Sequence, residues 1–220
     1  LADGTKVFLN SGSEMRYPER FGKARREVFL KGEAWFEVAK DSAREFWVHA
    51  GAMDVKVLGT SFNVKAYERL ETVATTLVEG SVEVACAGKS FQIVPGEQFV
   101  YDKNNRVMDV RMVDTESYVS WKDGYYKFRQ TTLEEIMETL SVWYGLNVFY
   151  VNESAKQVEF TGKVKRYEDA RMLLDKFEQT GDVVFDIKGN NVFITIKQKK
   201  PFAREWNSFS VKARGMVWQS

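Results

Sequence analysis

The sequence predicts a two-lobe β + α/β protein: an N-terminal all-β sandwich or solenoid-like stack, then a C-terminal α+β lobe built as a split βαβ duplication. Three observations predict it. Residues 1–114 alternate apolar and polar side chains in short runs, the period of half-buried antiparallel strands. From Thr132 the apolar period becomes helical. From Tyr125 onward the elements read strand, helix, strand, strand, helix, strand, strand, so the first three resemble the next three. The expected domains are 1–114, all β; 115–198, α+β; and 199–220, a basic tail.

The strands of the first lobe are read at Thr5–Leu9, Arg26–Leu30, Ala34–Val38, Phe46–His49, Met53–Leu58, Phe62–Tyr67, Thr72–Val78, Val82–Cys86, Phe91–Val94, Gln98–Tyr101 and Val107–Met112. Phe62, Val64 and Ala66 share one face against Ser61, Asn63 and Lys65; Met53, Val55 and Val57 oppose Asp54 and Lys56. Gly12, Gly32, Gly51, Gly59, Gly80, Gly88 and Pro95-Gly96 fall between runs as turn residues.

Thr115–Lys122, with Trp121, is the expected bridge between lobes. Leu133, Ile136, Met137, Leu140, Trp143 and Tyr144 then form one helical stripe. Thr132 and Glu135 have capping-box spacing at its start, and Gly145 is a natural stop. Leu146–Val151 and Val158–Val164 read as strands. Ala170, Leu173, Leu174 and Phe177 make a second stripe closed by Gly181. Val183–Ile187 and Val192–Ile196 flank Lys188-Gly189-Asn190-Asn191, a tight hairpin turn. Both helices are expected on one face of a single sheet.

Composition narrows the chemistry. The 220 residues are 44% hydrophobic, 29% charged and 14% aromatic, which describes a folded chain. The net charge of +1 leaves no electrostatic footprint for nucleic acid. One Cys excludes an intrachain disulfide and a Cys-rich zinc site, and one His excludes a multi-histidine metal site. No apolar run reaches the ~18–20 residues that span a bilayer. The chain opens at Leu1 without a signal-peptide pattern, so an excised or processed fragment is expected. His49 reads as a surface or edge histidine and Cys86 as a small core residue. Glu33 and Glu37 read as strand-face acids. No Walker loop, dinucleotide fingerprint, calcium loop, H-E-x-x-H or G-x-S-x-G occurs. No catalytic residue, metal or cofactor is expected.

Several blocks resemble the FecR family of anti-sigma factors. They are Leu1-Ala2-Asp3-Gly4-Thr5 with Leu9-Asn10; Tyr17-Pro18 with Phe21; Leu30-Lys31-Gly32-Glu33-Ala34-Trp35-Phe36-Glu37-Val38; Val57-Leu58-Gly59-Thr60-Ser61-Phe62-Asn63-Val64-Lys65-Ala66-Tyr67; Leu77-Val78-Glu79-Gly80-Ser81-Val82; and Pro95-Gly96-Glu97-Gln98. In the second lobe, Trp121, Gly124, Phe128, Leu133 and Phe160-Thr161-Gly162 resemble the C-terminal domain of Bacteroidetes members, which is similar to the short signalling domain of secretins and TonB-dependent transducers.

The resemblance implies a periplasmic sensor region of a transmembrane anti-sigma factor. Such a region relays a signal by protein contact, with no enzyme activity and no cofactor. The implied partners are the signalling domain of an outer-membrane TonB-dependent transducer, SusC-like or siderophore, and an extracytoplasmic-function sigma factor held through a cytoplasmic segment absent from this sequence. Membrane attachment would run through a single span, also absent, and no nucleic acid is implied. The last strand is expected at a sheet edge open to a pairing partner, making Val192, Phe193, Ile194, Thr195 and Ile196 the partner-binding residues. The alternative is a carbohydrate-binding module that uses strand-face aromatics, with Trp35, Trp47 and Tyr67 as candidates.

Overall fold

The computed structural model describes residues 1–166 and 169–197; the basic tail, 199–220, lies outside the described residues. The first lobe holds β1 (Lys6–Leu9), β2 (Glu14–Arg16), β3 (Arg25–Glu37), β4 (Glu45–Ala50), β5 (Met53–Val57), β6 (Ser61–Ala66), β7 (Thr72–Glu79), β8 (Val82–Cys86), β9 (Lys89–Ile93), β10 (Glu97–Asp102) and β11 (Val107–Met112). They run in the order β11-β10-β7-β6-β3-β4-β5-β8-β9, with β1 and β2 also on β3. Side chains from both halves of this sheet meet in one core. Phe36 on β3 packs against Phe62 on β6 (5.1 Å) and Phe46 on β4 (6.2 Å), and Phe91 on β9 meets Phe99 on β10 (5.1 Å). The sheet has therefore doubled over into a sandwich.

The strand β3 is the spine. The sequence pattern divides this stretch in two at Gly32, as if for a turn, yet the strand is continuous over 13 residues. Its first half pairs with β4 in parallel and with β2; its second half pairs antiparallel with β6 and β1. Gly32 marks the changeover. Its φ is +99°, and a Cβ there would lie 2.4 Å from Ser13 Oγ. Only glycine admits that approach, and Ser13 Oγ then accepts the Glu33 N–H (2.8 Å).

Arg26 on β3 is completely buried. Its Nη1 donates to Asp3 Oδ2 (2.8 Å) and the Ala39 carbonyl (2.9 Å), and its Nη2 to the Arg44 carbonyl (2.9 Å). Burial by itself would raise the Asp3 carboxyl. Hydrogen bonds from Arg26 and Thr5 outweigh it and hold the group below its ordinary value. A buried guanidinium without these partners would cost several kcal/mol.

The linker contains α1 (Glu116–Val119) and a 3-10 turn at Ser120–Asp123. The second lobe follows as β12 (Tyr125–Thr132), α2 (Leu133–Tyr144), β13 (Asn147–Tyr150), β14 (Glu159–Lys165), α3 (Ala170–Thr180), β15 (Val183–Lys188) and β16 (Asn191–Ile196). The chain order matches the expectation, but the strands divide between two sheets, β12-β14 and β13-β16-β15. Both sheets and both helices close over one core, which joins Phe128, Phe160, Ile136, Leu140, Leu173 and Phe177 to Val192 and Ile194. Thr132 caps α2 by accepting the Glu135 N–H (3.3 Å), and Gly145 ends it at φ +64°. Asp169 caps α3 through the N–H groups of Arg171 and Met172.

The lobes meet over the outer face of β3 and β6. Glu33, 6% exposed, accepts from Asn10 Nδ2 (2.7 Å) and Asn63 Nδ2 (2.8 Å). Each amide is pinned by its own oxygen: Asn63 Oδ1 accepts from Trp121 Nε1 (3.1 Å), and Asn10 Oδ1 from the Ser11 N–H (2.8 Å). Arg166 lies between the rings of Trp121 (5.7 Å) and Trp143 (5.2 Å) and donates to Ser11 Oγ (2.8 Å). Burial drives the Glu33 pKa upward; Lys65, the two amides and Arg166 pull it back without cancelling the rise.

Two outcomes follow from these buried charges. The Asp3 carboxyl sits lower in the folded chain than its unfolded value of 3.8. Its contribution is complete above that value and is lost as pH falls through the folded one. Asp3→Asn should cost about 3 kcal/mol in urea unfolding at neutral pH, and the gap from wild type should close in strong acid; a gap independent of pH would contradict the pairing. Glu33→Gln turns an N–H group toward one of two pinned amides. It should lower stability by about 1–3 kcal/mol, and an unchanged urea midpoint would show that the amides reorient freely.

Candidate functional site

Between the lobes lies a cavity of about 320 Å³. Its floor is the outward face of the first lobe, where β6 presents Asn63 and Lys65, β7 presents Ala74 and Thr76, and β10 presents Gln98. The roof comes from Tyr118 and Trp121 of the linker, Tyr126 of β12, and Glu138, Thr139 and Trp143 of α2. Strand alternation puts these floor residues opposite the core side chains of the same strands. Thr76, Gln98 and Asn63 are polar yet almost fully buried, because the second lobe covers them. Gln98 Nε2 donates to Thr76 Oγ1 (2.8 Å), and Arg111 Nη2 to Gln98 Oε1 (3.3 Å).

The roof carries less satisfied groups. Glu138 has Lys65 Nζ at 3.9 Å. Burial pushes its carboxyl upward; Lys65 opposes this, while Glu134, Glu135 and Glu71 add to it. The Tyr126 hydroxyl is held protonated, first by burial. Trp143 Nε1 is buried with no hydrogen-bond partner.

The period-two pattern assigned Asn63 and Lys65 to a solvent face and gave Glu33 no partner. A signal was present in the blocks that hold Asn10, Glu33 and Asn63, where each polar residue sits beside core positions.

The strand Val192–Ile196 is not at an edge. β16 is the middle of its sheet, parallel to β13 through Val192↔Val148 and Ile194↔Tyr150, and antiparallel to β15 through Val192↔Ile187 and Ile194↔Phe185. Being last in the chain does not place a strand last in the sheet, because the hairpin from β15 folds β16 back alongside β13, an earlier strand. Val192 and Ile194 are buried in the core. The edges are β13 and β15, and Glu178 Oε2 already accepts the Phe185 N–H of β15 (3.2 Å).

The other face of this sheet carries an open apolar patch. Phe149 on β13 and Phe193 on β16 stack with ring centroids 5.1 Å apart. Phe149 is 47% exposed, Val151 62% and Val184 37%. Lys188 Nζ lies 5.4 Å from the Phe193 ring centroid.

Of the three strand-face candidates Trp35, Tyr67 and Trp47, two are covered. Trp35 and Tyr67 are buried, Trp35 beneath Lys122 (5.5 Å) and Tyr67 donating to the Ser11 carbonyl (2.8 Å). Trp47 is half-buried beside His49. His49 Nδ1 is 2.7 Å from Asp54 Oδ1, and its ring stacks on Phe29. Cys86 is buried, which pushes its thiol upward. Glu33 belongs to the seam and Glu37 accepts from Trp35 Nε1 (3.2 Å), so they form no facing pair. Among the described residues no group of three or more His, Cys, Asp or Glu is placed to hold a metal ion, and no helix is long and apolar enough to cross a membrane.

The comparisons with known proteins follow the two lobes. The model described as "FecR protein" matches residues 1–83, and the model "FecR, C-terminal" matches residues 125–194. No curated protein matches the chain. Two crystal structures of a protein from Parabacteroides distasonis, assigned as an anti-sigma factor, are similar at 28% identity. One superposes with a TM-score of 0.81 over 90% of this chain and 93% of that one, the other with 0.79 over 90% and 92%. Matched by one FecR model in its β lobe and by the other in its α+β lobe, on a backbone shared with that protein, the chain belongs to the FecR family.

Proposed function

We propose that this chain is the periplasmic sensor region of a transmembrane anti-sigma factor. It relays the state of an outer-membrane TonB-dependent transducer to an extracytoplasmic-function sigma factor by protein contact, without chemistry of its own. Membership of the FecR family and the likeness to a protein assigned as an anti-sigma factor support the regulatory role. Lobes of 1–114 and 115–198 serve as its two units, and the second carries the partner surface.

The observation that carries this reading is the open apolar face around Phe149 and Phe193. The second lobe completes its core without those rings. An exposed Phe149 stacked on half-buried Phe193, rimmed by Lys188 and Asp186, is the make-up of an interface centre. Partner contact is assigned to the outward residues Phe193 and Thr195 of the 192–196 strand, with Val192 and Ile194 supporting them from the core. Strand pairing, where it occurs, uses the β13 edge. The carbohydrate reading loses two of its three candidate rings, since Trp35 and Tyr67 are buried and Trp47 is half-buried.

Titration of the full chain with the signalling domain of its transducer tests the assignment. Phe149→Asp should weaken binding roughly thirtyfold, the effect of losing a central aromatic contact worth about 2 kcal/mol. Its melting temperature should stay within about 2 °C of wild type, because the ring is exposed. Undiminished binding by Phe149→Asp together with Val184→Asp would move the contact elsewhere.

A further inference from the structure

We propose that the groove between the end of β2 and the start of β3 is a docking site for an extended acidic peptide of a partner protein, one that carries a large apolar side chain. This goes beyond the sensor role proposed above. The groove lies on the first lobe and shares no residue with the open sheet face or the interlobe cavity. It encloses about 550 Å³, within the roughly 300–1,000 Å³ usual for binding sites.

Its walls follow from the local sequence. Arg16 closes β2, and Tyr17-Pro18 leads the chain out of the sheet, the proline holding the residue before it extended. Phe21 then packs on the first-lobe core, edge-on to Phe46 (6.0 Å), which pins the loop at its middle. The chain re-enters as β3, whose outward residues Arg25, Glu27 and Phe29 alternate along one face. His49 stacks on the Phe29 ring (4.8 Å) and braces it. Tyr17 and Phe29 remain 53% and 49% exposed, and both line the groove. They are accessible apolar walls that an apolar side chain can cover.

The rim selects the sign of the occupant. Arg16, Lys23 and Arg25 line the groove against one carboxylate, Glu27. Arg25 Nη1 meets Glu27 Oε1 at 3.1 Å, and Arg16 Nε meets Glu14 Oε1 at 3.7 Å. Each pair leaves most of a five-donor guanidinium free, and the two side chains are 57% and 71% exposed. Lys23 is exposed and forms no ion pair among the described residues. A cationic ligand would meet like charge there, whereas carboxylates would accept from all three side chains. The strand beside the groove selects the shape. Among the described residues β2 pairs only with β3, so its outer edge keeps backbone groups for an extended chain. A peptide laid along that edge puts one apolar residue over Tyr17 and Phe29 and its acidic neighbours against the rim. A lone anion or a lipid headgroup would use the cations but leave the strand edge unpaired.

Fluorescence polarisation of labelled, capped peptides against the full 220-residue chain tests this. The peptide Glu-Asp-Phe-Asp-Glu should saturate with a dissociation constant below about 1 mM. Versions with amides in place of the acids, or with Ala in place of Phe, should each bind about tenfold or more weakly. Lys23→Glu, a change at an exposed side chain, should weaken the acidic peptide about tenfold. Tyr17→Ser should weaken it by about the same factor, and either variant carries the test if the other does not fold. Phe149→Asp should leave it unchanged, so the outcome here is separate from that of the transducer titration. Equal affinity for the acidic and amide peptides, undiminished binding by both groove variants, or saturation by no peptide would overturn the proposal. So would capture of the chain by phosphatidylglycerol vesicles, lost in Lys23→Glu, with no peptide bound.

Discussion

The architecture rests on one strand with two sets of partners. β3 gives its first half to β2 and β4 and its second half to β1 and β6, so it is the hinge about which the sheet doubles. That arrangement works only if the strand is extended through Gly32 and if its register is held at both ends. Arg26 holds one end, tied to Asp3 and to two carbonyls from other loops. Glu33, just past Gly32, holds the second half, tied to Asn10 and Asn63. The apolar core between them supplies the gross stabilisation, roughly 1.5–3 kcal/mol for each large buried side chain. The two polar anchors decide which register that core adopts.

The seam between the lobes is built differently from either core. It is a polar sheet face covered by a second lobe through directional bonds. Trp121 to Asn63, Arg166 to Ser11 and Lys65 beside Glu138 are contacts that water can replace. Beside these bonds the seam also covers the rings of Trp35, Trp121 and Tyr126, so opening it costs apolar burial as well as polar contacts. The open aromatic face lies on the three-stranded sheet of the second lobe, while the seam uses the linker, β12 and α2.

Much of this was legible in the residues. The strands from Phe46 to Met112 fell where alternation placed them, and α2 runs from its Thr132 cap to its Gly145 stop. The blocks that resemble the FecR family lie in or beside the stretches that its two models match, residues 1–83 and 125–194. β2 was not legible, because three residues carry no period. The single strand β3 read as two, because a glycine at a change of partners looks the same in sequence as a glycine in a turn. Asn63 and Glu33 read as solvent-facing, because period two separates the faces of a strand but does not reveal what covers the outer one.

The sequence by itself determined where most strands and the two long helices lie and which side of each is apolar, because those follow from spacing along the chain. Only the tertiary structure decided the order of strands within sheets, and with it that β16 is enclosed, that the outer face of β6 and β7 is roofed, and that a cavity lies between. Those outcomes depend on contacts between residues far apart in the chain, such as Arg166 with Ser11 or Trp121 with Asn63. No local period encodes which distant surface will arrive.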